Sequence, residues 1–251
     1  MTAARIAAQL HTDIFGKTLV VEPLLPSTNT AARTLAQGGA AEGTVVIAAA
    51  QSAGRGRRGR DFFSPVGGVY MSIVLRPPTT LAAGDITACA AIAAARAIER
   101  LCDATVGVKW VNDLYIHDRK VCGILTEGAC AADGTLAYAI LGIGINVAST
   151  AFPDGIPATS PANEGYTVDR TALIAAVLEE WERLYTAYDP AAVLAESRRR
   201  SVVLGHEVTV RQGDATYPAT ALDITEQGHL LVRTSAGDTI TLSSGEVSIL
   251  L

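Results

Sequence analysis

At Ser201 the texture of this 251-residue chain changes. Before it, apolar strand candidates alternate with long helical stretches. After it come only short alternating segments, running from Val202 to Leu250 and separated by Gly213, Gly228, Gly237 and Gly245. Period-two patterning cut by glycines at this spacing spells a small all-β unit, and about 50 residues hold one barrel of that kind. The expected organisation is a larger α+β domain over residues 1–200 and a small β barrel over residues 201–251.

Within the larger part, residues 19–25 read as a short apolar strand closed by Pro26. Ser27-Thr28-Asn29 then offers capping side chains to a helix that Gly38-Gly39 stops. Residues 44–50 and 68–75 are further strands, the first continuously apolar and so central in a sheet. Residues 85–101 are Ala-rich without internal Gly or Pro, which predicts a long helix buried on at least one face. Residues 106–110, 113–117, 121–126 and 136–147 read as four strands. The last three suggest an antiparallel meander with turns at Asp118-Arg119 and Asp133-Gly134. Asp169 caps a helix carrying Leu173, Val177, Trp181 and Leu184 on one face, and Asp189-Pro190 starts another. The sum is a mixed β-sheet flanked by helices.

Composition excludes several classes. No apolar run reaches the ~18 residues that span a bilayer. The first 16 residues are broken by His11 and Asp13, so they form neither a secretory signal nor an anchor. Four cysteines make no CxxC pair and no metal spacing, which predicts reduced thiols and a cytoplasmic protein. A net charge of −5 argues against a protein that coats nucleic acid.

Against that acidic background residues 54–60 read Gly-Arg-Gly-Arg-Arg-Gly-Arg. Glycines let backbone approach a ligand, and arginines present planar, permanently charged donors to carboxylate or phosphate. The segment reads as a mobile, anion-closing loop; a solvated or nucleic-acid-binding segment is the other reading. The G-x-x-x-x-G-K-[ST] spacing of a P-loop is absent. Of the 20 Lys and Arg residues only Lys17, Lys109 and Lys120 are lysine, so a lysine here can mark a place that needs a compact ammonium.

Three further blocks carry chemistry. In Lys109-Trp110-Val111-Asn112-Asp113-Leu114, Lys109 and Asp113 could hold a phosphate and a metal or ribose, although Asn-Asp is equally a turn. In residues 118–127, Lys120 stands where a turn enters a strand, either an active or an exposed turn lysine, and Gly123 marks a close approach. In residues 141–147, Gly142 and Gly144 leave one strand face bare, either to seat a flat ligand or for packing. The third glycine of a dinucleotide fingerprint is missing.

In their order, Ser27-Thr28-Asn29, Gln51 with the Gly-Arg loop, Lys-Trp-x-Asn-Asp-Leu, Arg-Lys-x-x-Gly-Ile-Leu-x-Glu and Gly-Ile-Gly-Ile-Asn-Val resemble the biotin–protein ligases. The resemblance implies the biotin–lipoate ligase fold, related to class II aminoacyl-tRNA synthetases, with an SH3-like C-terminal barrel. It implies ATP as co-substrate with Mg²⁺, biotin as substrate, a biotinyl-5′-AMP intermediate, and transfer to a lysine of a biotin carboxyl carrier protein. By the same resemblance Ser27, Thr28, Asn29 and Gln51 bind the biotin head, and Gly54, Arg55 and Arg57 close over its ring and tail. Gly123 and Leu125 line the slot, and Lys120 is the catalytic cation, with Arg57, bridging the biotin carboxylate and the α-phosphate. The nucleotide side falls to Arg57, Arg60, Phe62, Lys109, Asn112, Asp113, Lys120 and Asn146, with Mg²⁺ arriving on ATP and Asp113 its one candidate ligand. The chain departs from the pattern at Phe62, where the family carries Trp, and at Val111, where it carries Pro. Only 26 residues precede Ser27, too few for the DNA-binding domain of some members, so no DNA partner is expected. An exposed strand edge would serve either a homodimer or the carrier, which leaves monomer and homodimer both open. A lipoate–protein ligase of the same fold and a non-enzymatic nucleic-acid module are the rival readings.

Overall fold

The computed structural model describes residues 1–77, 81–130, 136–243 and 245–249. The turn expected at Asp133-Gly134, and Leu250 at the end of the last strand, lie outside the described residues. A short helix α1 (Ala3–Ala7), which the sequence reading did not anticipate, precedes β1 (Leu19–Glu22). Then come α2 (Thr28–Gln37), β2 (Val45–Ala48), β3 (Val69–Leu75), α3 (Ala83–Leu101), β4 (Gly107–Lys109), β5 (Asp113–Ile116), β6 (Arg119–Cys130) and β7 (Leu136–Ile145). Helices α4 (Arg170–Thr186) and α5 (Pro190–Arg200) complete the first unit. Its seven strands lie in the order β1-β2-β3-β7-β6-β5-β4, parallel only between β1 and β2. The meander expected for β5, β6 and β7 is present as antiparallel ladders.

Strands β2 and β3 are buried along their whole length, as their continuous apolar runs require. Helix α3 packs on the sheet through buried Ile86, Ile92 and Ile98, while six buried alanines let α4 and the strands come close. Ser27, Asp169 and Asp189 cap α2, α4 and α5 through side-chain oxygens.

The C-terminal unit holds β8 (Glu207–Gln212), β9 (Ala215–Ile224), β10 (Leu230–Thr234), β11 (Thr239–Leu242) and β12 (Glu246–Ile249). They form one antiparallel sheet in the order β11-β10-β9-β8-β12. Among the described residues no ladder joins β11 to β12, so the expected barrel is open at that seam. Its separate core contains Val208, Val210, Ala221, Leu230, Val232, Leu242 and Val247, and into it the first unit inserts Trp110 from the β4–β5 corner. The Trp110 indole N–H donates to the carbonyl of Gly228 at 2.9 Å. Buried Arg200, the last residue of α5, donates to Glu99 and Glu196 and to the Val106 carbonyl, fastening α5 within the first unit, while Arg198 donates to Asp223 and the Ile224 carbonyl of the second. The first and second units therefore meet at the corner that presents Lys109 and Asn112. Among the described residues no helix is long and apolar enough to cross a membrane, and all four cysteines are unpaired.

Candidate active site

The site lies over β3, β7 and β6, beside the β4–β5 corner. Helix α2 brings its N-terminus onto this surface because Ser27 ends the extended segment and caps the first turn. The next two side chains are buried polar groups, and each is satisfied. Gln51 Oε1 accepts from the Thr28 N–H at 2.8 Å and from its hydroxyl at 3.2 Å, while Gln51 Nε2 donates to Ser64 Oγ at 2.8 Å. Asn29 donates to Glu127 Oε2 at 2.8 Å. Ser72, a fully buried hydroxyl in strand β3, donates to Asn29 Oδ1 at 2.6 Å and lies 2.8 Å from Thr28 Oγ1.

The arginine-rich segment is folded as a tight hairpin. Gly56 N donates to Arg60 O at 2.7 Å, Phe62 N donates to Gly54 O at 2.8 Å, and Arg55 bridges Asp61. A 3-10 turn at Arg57–Gly59 puts Arg58 in the left-handed region at φ 57°. Gly54 is compulsory there, since a Cβ would stand 2.4 Å from Phe62 O and 2.5 Å from Ser64 Oγ. Along the outgoing strand Arg55 and Arg57 share one side, as period two demands. Arg55 reaches Glu127 at 3.3 Å, and Arg57 donates to Asn112 Oδ1 at 2.9 Å.

Two cavities open beneath this hairpin. The first is lined by Ser27, Thr28, Asn29, Gln51, Gly123 and Leu125 among others. The second is lined by Arg60, Lys109, Asp113 and, from the C-terminal unit, Gly245 and Val247. Gly56, Arg57, Phe62, Asn112 and Lys120 belong to both. Lys120 Nζ forms a 2.8 Å ion pair with Asp113 Oδ1, an oxygen otherwise without a hydrogen-bond partner, and stands 5.6 Å from the Phe62 ring centre. Lys109 donates to the Tyr115 hydroxyl at 3.4 Å. The main chain of Lys120 is held on both sides: its N–H donates to Pro157 O, and its carbonyl accepts from Thr159 N.

Burial pushes the Cys122 thiol well above its ordinary range, Lys120 pulling against it, so this neighbour of Lys120 stays protonated and is no nucleophile. Burial likewise raises the Tyr70 hydroxyl, which lines the first cavity. Mg²⁺ finds no cage of protein donors: among the described residues no three His, Cys, Asp or Glu cluster, and Asp113 Oδ1 already faces Lys120. The donor set does not fit a protein-built Mg²⁺ site.

Most of the residues expected from sequence are thus brought together, while Asn146 and Gly54 stand outside the cavity walls and the bare glycine face is packed. Asn146 lines neither cavity. Its buried amide donates to the carbonyls of Lys120 and Thr159, at 3.3 and 3.0 Å, and so steadies the strand that carries the lysine. Gly54, at the base of the hairpin, lines neither cavity. The bare glycine face is filled by the chain itself: a Cβ on Gly142 would lie 2.1 Å from Asn29 Oδ1, and one on Gly144 2.6 Å from the Phe62 ring. Because Gly123 pairs with Gly144 across β6 and β7, the two form a single cradle for that ring. Sequence reasoning passed over Ser72 and gave Glu127 no role. The signals were a serine inside an otherwise apolar and aromatic strand and a carboxylate closing the Lys120 block.

A family model described as Biotin/lipoate A/B protein ligase family matches residues 21–146, and one described as Biotin protein ligase C terminal domain matches residues 203–250. The chain is 35% identical over 249 residues to the bifunctional ligase/repressor BirA of Bacillus subtilis (strain 168), covering 94% of this chain and 76% of that protein. It is 34% identical over 223 residues to the biotin–[acetyl-CoA-carboxylase] ligase of Paracoccus denitrificans, covering 84% and 92%. The solved biotin protein ligase from Aquifex aeolicus in complex with biotin and ATP superposes with a TM-score of 0.78 at 27% identity, covering 93% of this chain and 99% of that one.

Proposed function

We infer that this chain, which belongs to the biotin/lipoate A/B protein ligase family, is an ATP-dependent biotin–protein ligase. It joins biotin to ATP to give biotinyl-5′-AMP and pyrophosphate, then passes the biotinyl group to a lysine of a carboxyl carrier protein. No observation favours the lipoate or nucleic-acid alternatives. Four unpaired thiols suit a reducing cytoplasm.

The observation that carries our division of labour is that Lys120 and Arg57 stand on the wall common to both cavities. Two anions at ~4 Å repel by roughly 4 kcal/mol at an effective dielectric near 20. Cations placed between the two compartments offset that repulsion and stabilise charge developing on the α-phosphate. We place biotin in the first cavity, where Thr28, Asn29 and Gln51 offer polar groups to its head and Leu125 offers an apolar wall. ATP takes the second cavity, its phosphates toward Arg57, Arg60, Lys109 and Lys120 and its base toward Phe62. The carboxylate oxygen of biotin attacks the α-phosphorus, pyrophosphate leaves, and no step here passes through a metal ligand of the protein. Lys120, a compact ammonium, reaches an oxygen of each reactant. The hairpin over both cavities excludes water from the mixed anhydride.

One incubation with biotin, ATP and Mg²⁺, with and without a biotin carboxyl carrier domain, tests this by intact-mass analysis. The carrier should gain one biotinyl group only when every component is present. An unmodified carrier with no adenylate formed would overturn the reading.

A further inference from the structure

The carboxylate of Glu127, on β6, collects three partners from three different elements. Arg33 of α2 reaches Oε1 at 2.6 Å, Arg55 of the hairpin reaches the same oxygen at 3.3 Å, and Asn29 donates to Oε2 at 2.8 Å. Glu127 is only 17% exposed, whereas Arg55 is 46% exposed. A largely buried carboxylate already bound by two groups is a fixed anchor, and the exposed arginine is the part that comes to it.

We propose that Glu127 is a positioning residue that latches the arginine hairpin shut over the biotin compartment through Arg55. This rests on the ligase reading and changes one role within it. Arg55 is committed to a protein carboxylate at the closed end of the first cavity, so the ligand's carboxylate is left to Arg57 and Lys120 at the shared wall. The hairpin then has two fastenings, Arg55 to Glu127 at the first compartment and Arg57 to Asn112 at the wall shared by both. Because Arg55 bridges Asp61 and Gly56 bonds Arg60, holding one strand holds both. Asn29 bonds the same carboxylate, so the latch also senses the position of the group next to the ligand head.

The test is a double-mutant cycle on the escape of preformed biotinyl-5′-AMP, followed by chasing labelled adenylate from the enzyme with unlabelled biotin and ATP. Glu127→Gln and Arg55→Gln should each speed escape by about tenfold, and the double variant should be no faster than either single one, since one contact is lost only once. Arg33→Gln, which removes the helix partner but keeps the latch, should leave escape within about twofold of the parent. A general loss of structure would instead add up across the cycle and would also appear with Arg33→Gln; either outcome overturns the latch. If Glu127→Gln fails to fold, Arg55→Gln and Arg55→Lys decide: escape unchanged by Arg55→Gln overturns it, and partial rescue by lysine supports it. A parent enzyme that forms no adenylate would instead refute the ligase reading, so the two failures are told apart.

Discussion

Replacing Gly142 by alanine asks whether the bare face of β7 serves packing or ligand. The new methyl would stand 2.1 Å from Asn29 Oδ1, 2.9 Å from its Cγ and 3.0 Å from its Nδ2, so the whole amide plane is in the way. Reaching ordinary contact takes a shift of more than ~1 Å. Asn29 cannot move that far and keep its partners, because it is 5% exposed and bonded to Glu127 at 2.8 Å and to Ser72 at 2.6 Å. The neutral bond contributes about 1 kcal/mol and the one to the carboxylate about 1.5–3 kcal/mol, while removing a strand glycine returns about 0.5–1 kcal/mol. The net loss should be about 2–3 kcal/mol by urea denaturation, or roughly 5–10 °C in Tm for a chain of this size. Biotin KM should rise at least tenfold, since Thr28 and Asn29 move together. Gly144→Ala meets Phe62 instead, a ring that swings about its own side-chain bonds, so stability should stay within about 1 kcal/mol while ligand binding suffers. If Gly142→Ala costs less than about 0.5 kcal/mol with Asn29 still bonded to Glu127, the packing role assigned to this glycine is wrong.

Lys120→Ala should abolish adenylate formation while leaving biotin affinity within about tenfold, because the ammonium acts mainly on charge that appears in the transition state; calorimetry and pyrophosphate release separate the two effects. Trp110→Ala should cost about 3–5 kcal/mol and loosen the C-terminal unit, seen as faster proteolysis near Ser201 and a raised ATP KM. The pH profile of stability should reflect the Glu99–Arg200–Glu196–Arg96 cluster. Burial works to raise the Glu99 and Glu196 carboxyls, but hydrogen bonds and charges from Arg200 and Arg96 outweigh it and hold both below the usual range. Folded values below unfolded ones mean stabilisation that is present above the unfolded pKa and lost as pH falls through the folded one. Urea midpoints from pH 7 down to pH 3 should therefore fall, and Glu196→Gln should flatten that slope; a slope unchanged by the substitution would remove the cluster from the account.

The residues themselves determined much of this. Strands and helices that are locally self-consistent, such as the apolar run at β3 and the capped helices after Ser27 and Asp169, form where their patterns place them. The change from long helices and strands to short glycine-cut strands after Ser201 was also legible, because backbone periodicity is a local property. What glycines face across a sheet is not local. Whether Gly142 bares its strand for a ligand or for Asn29 depends on where α2 docks, and sequence spacing carries no such information. Asn146 has the composition of a ligand-binding group, but the segment at 157–159 folds back on Lys120 and takes its donors. Ser72 and Glu127 acquire their partners only when α2, the hairpin and the sheet converge. Tertiary structure decided these roles because a buried polar group must find its partners wherever the fold brings them, however far apart they stand in the chain.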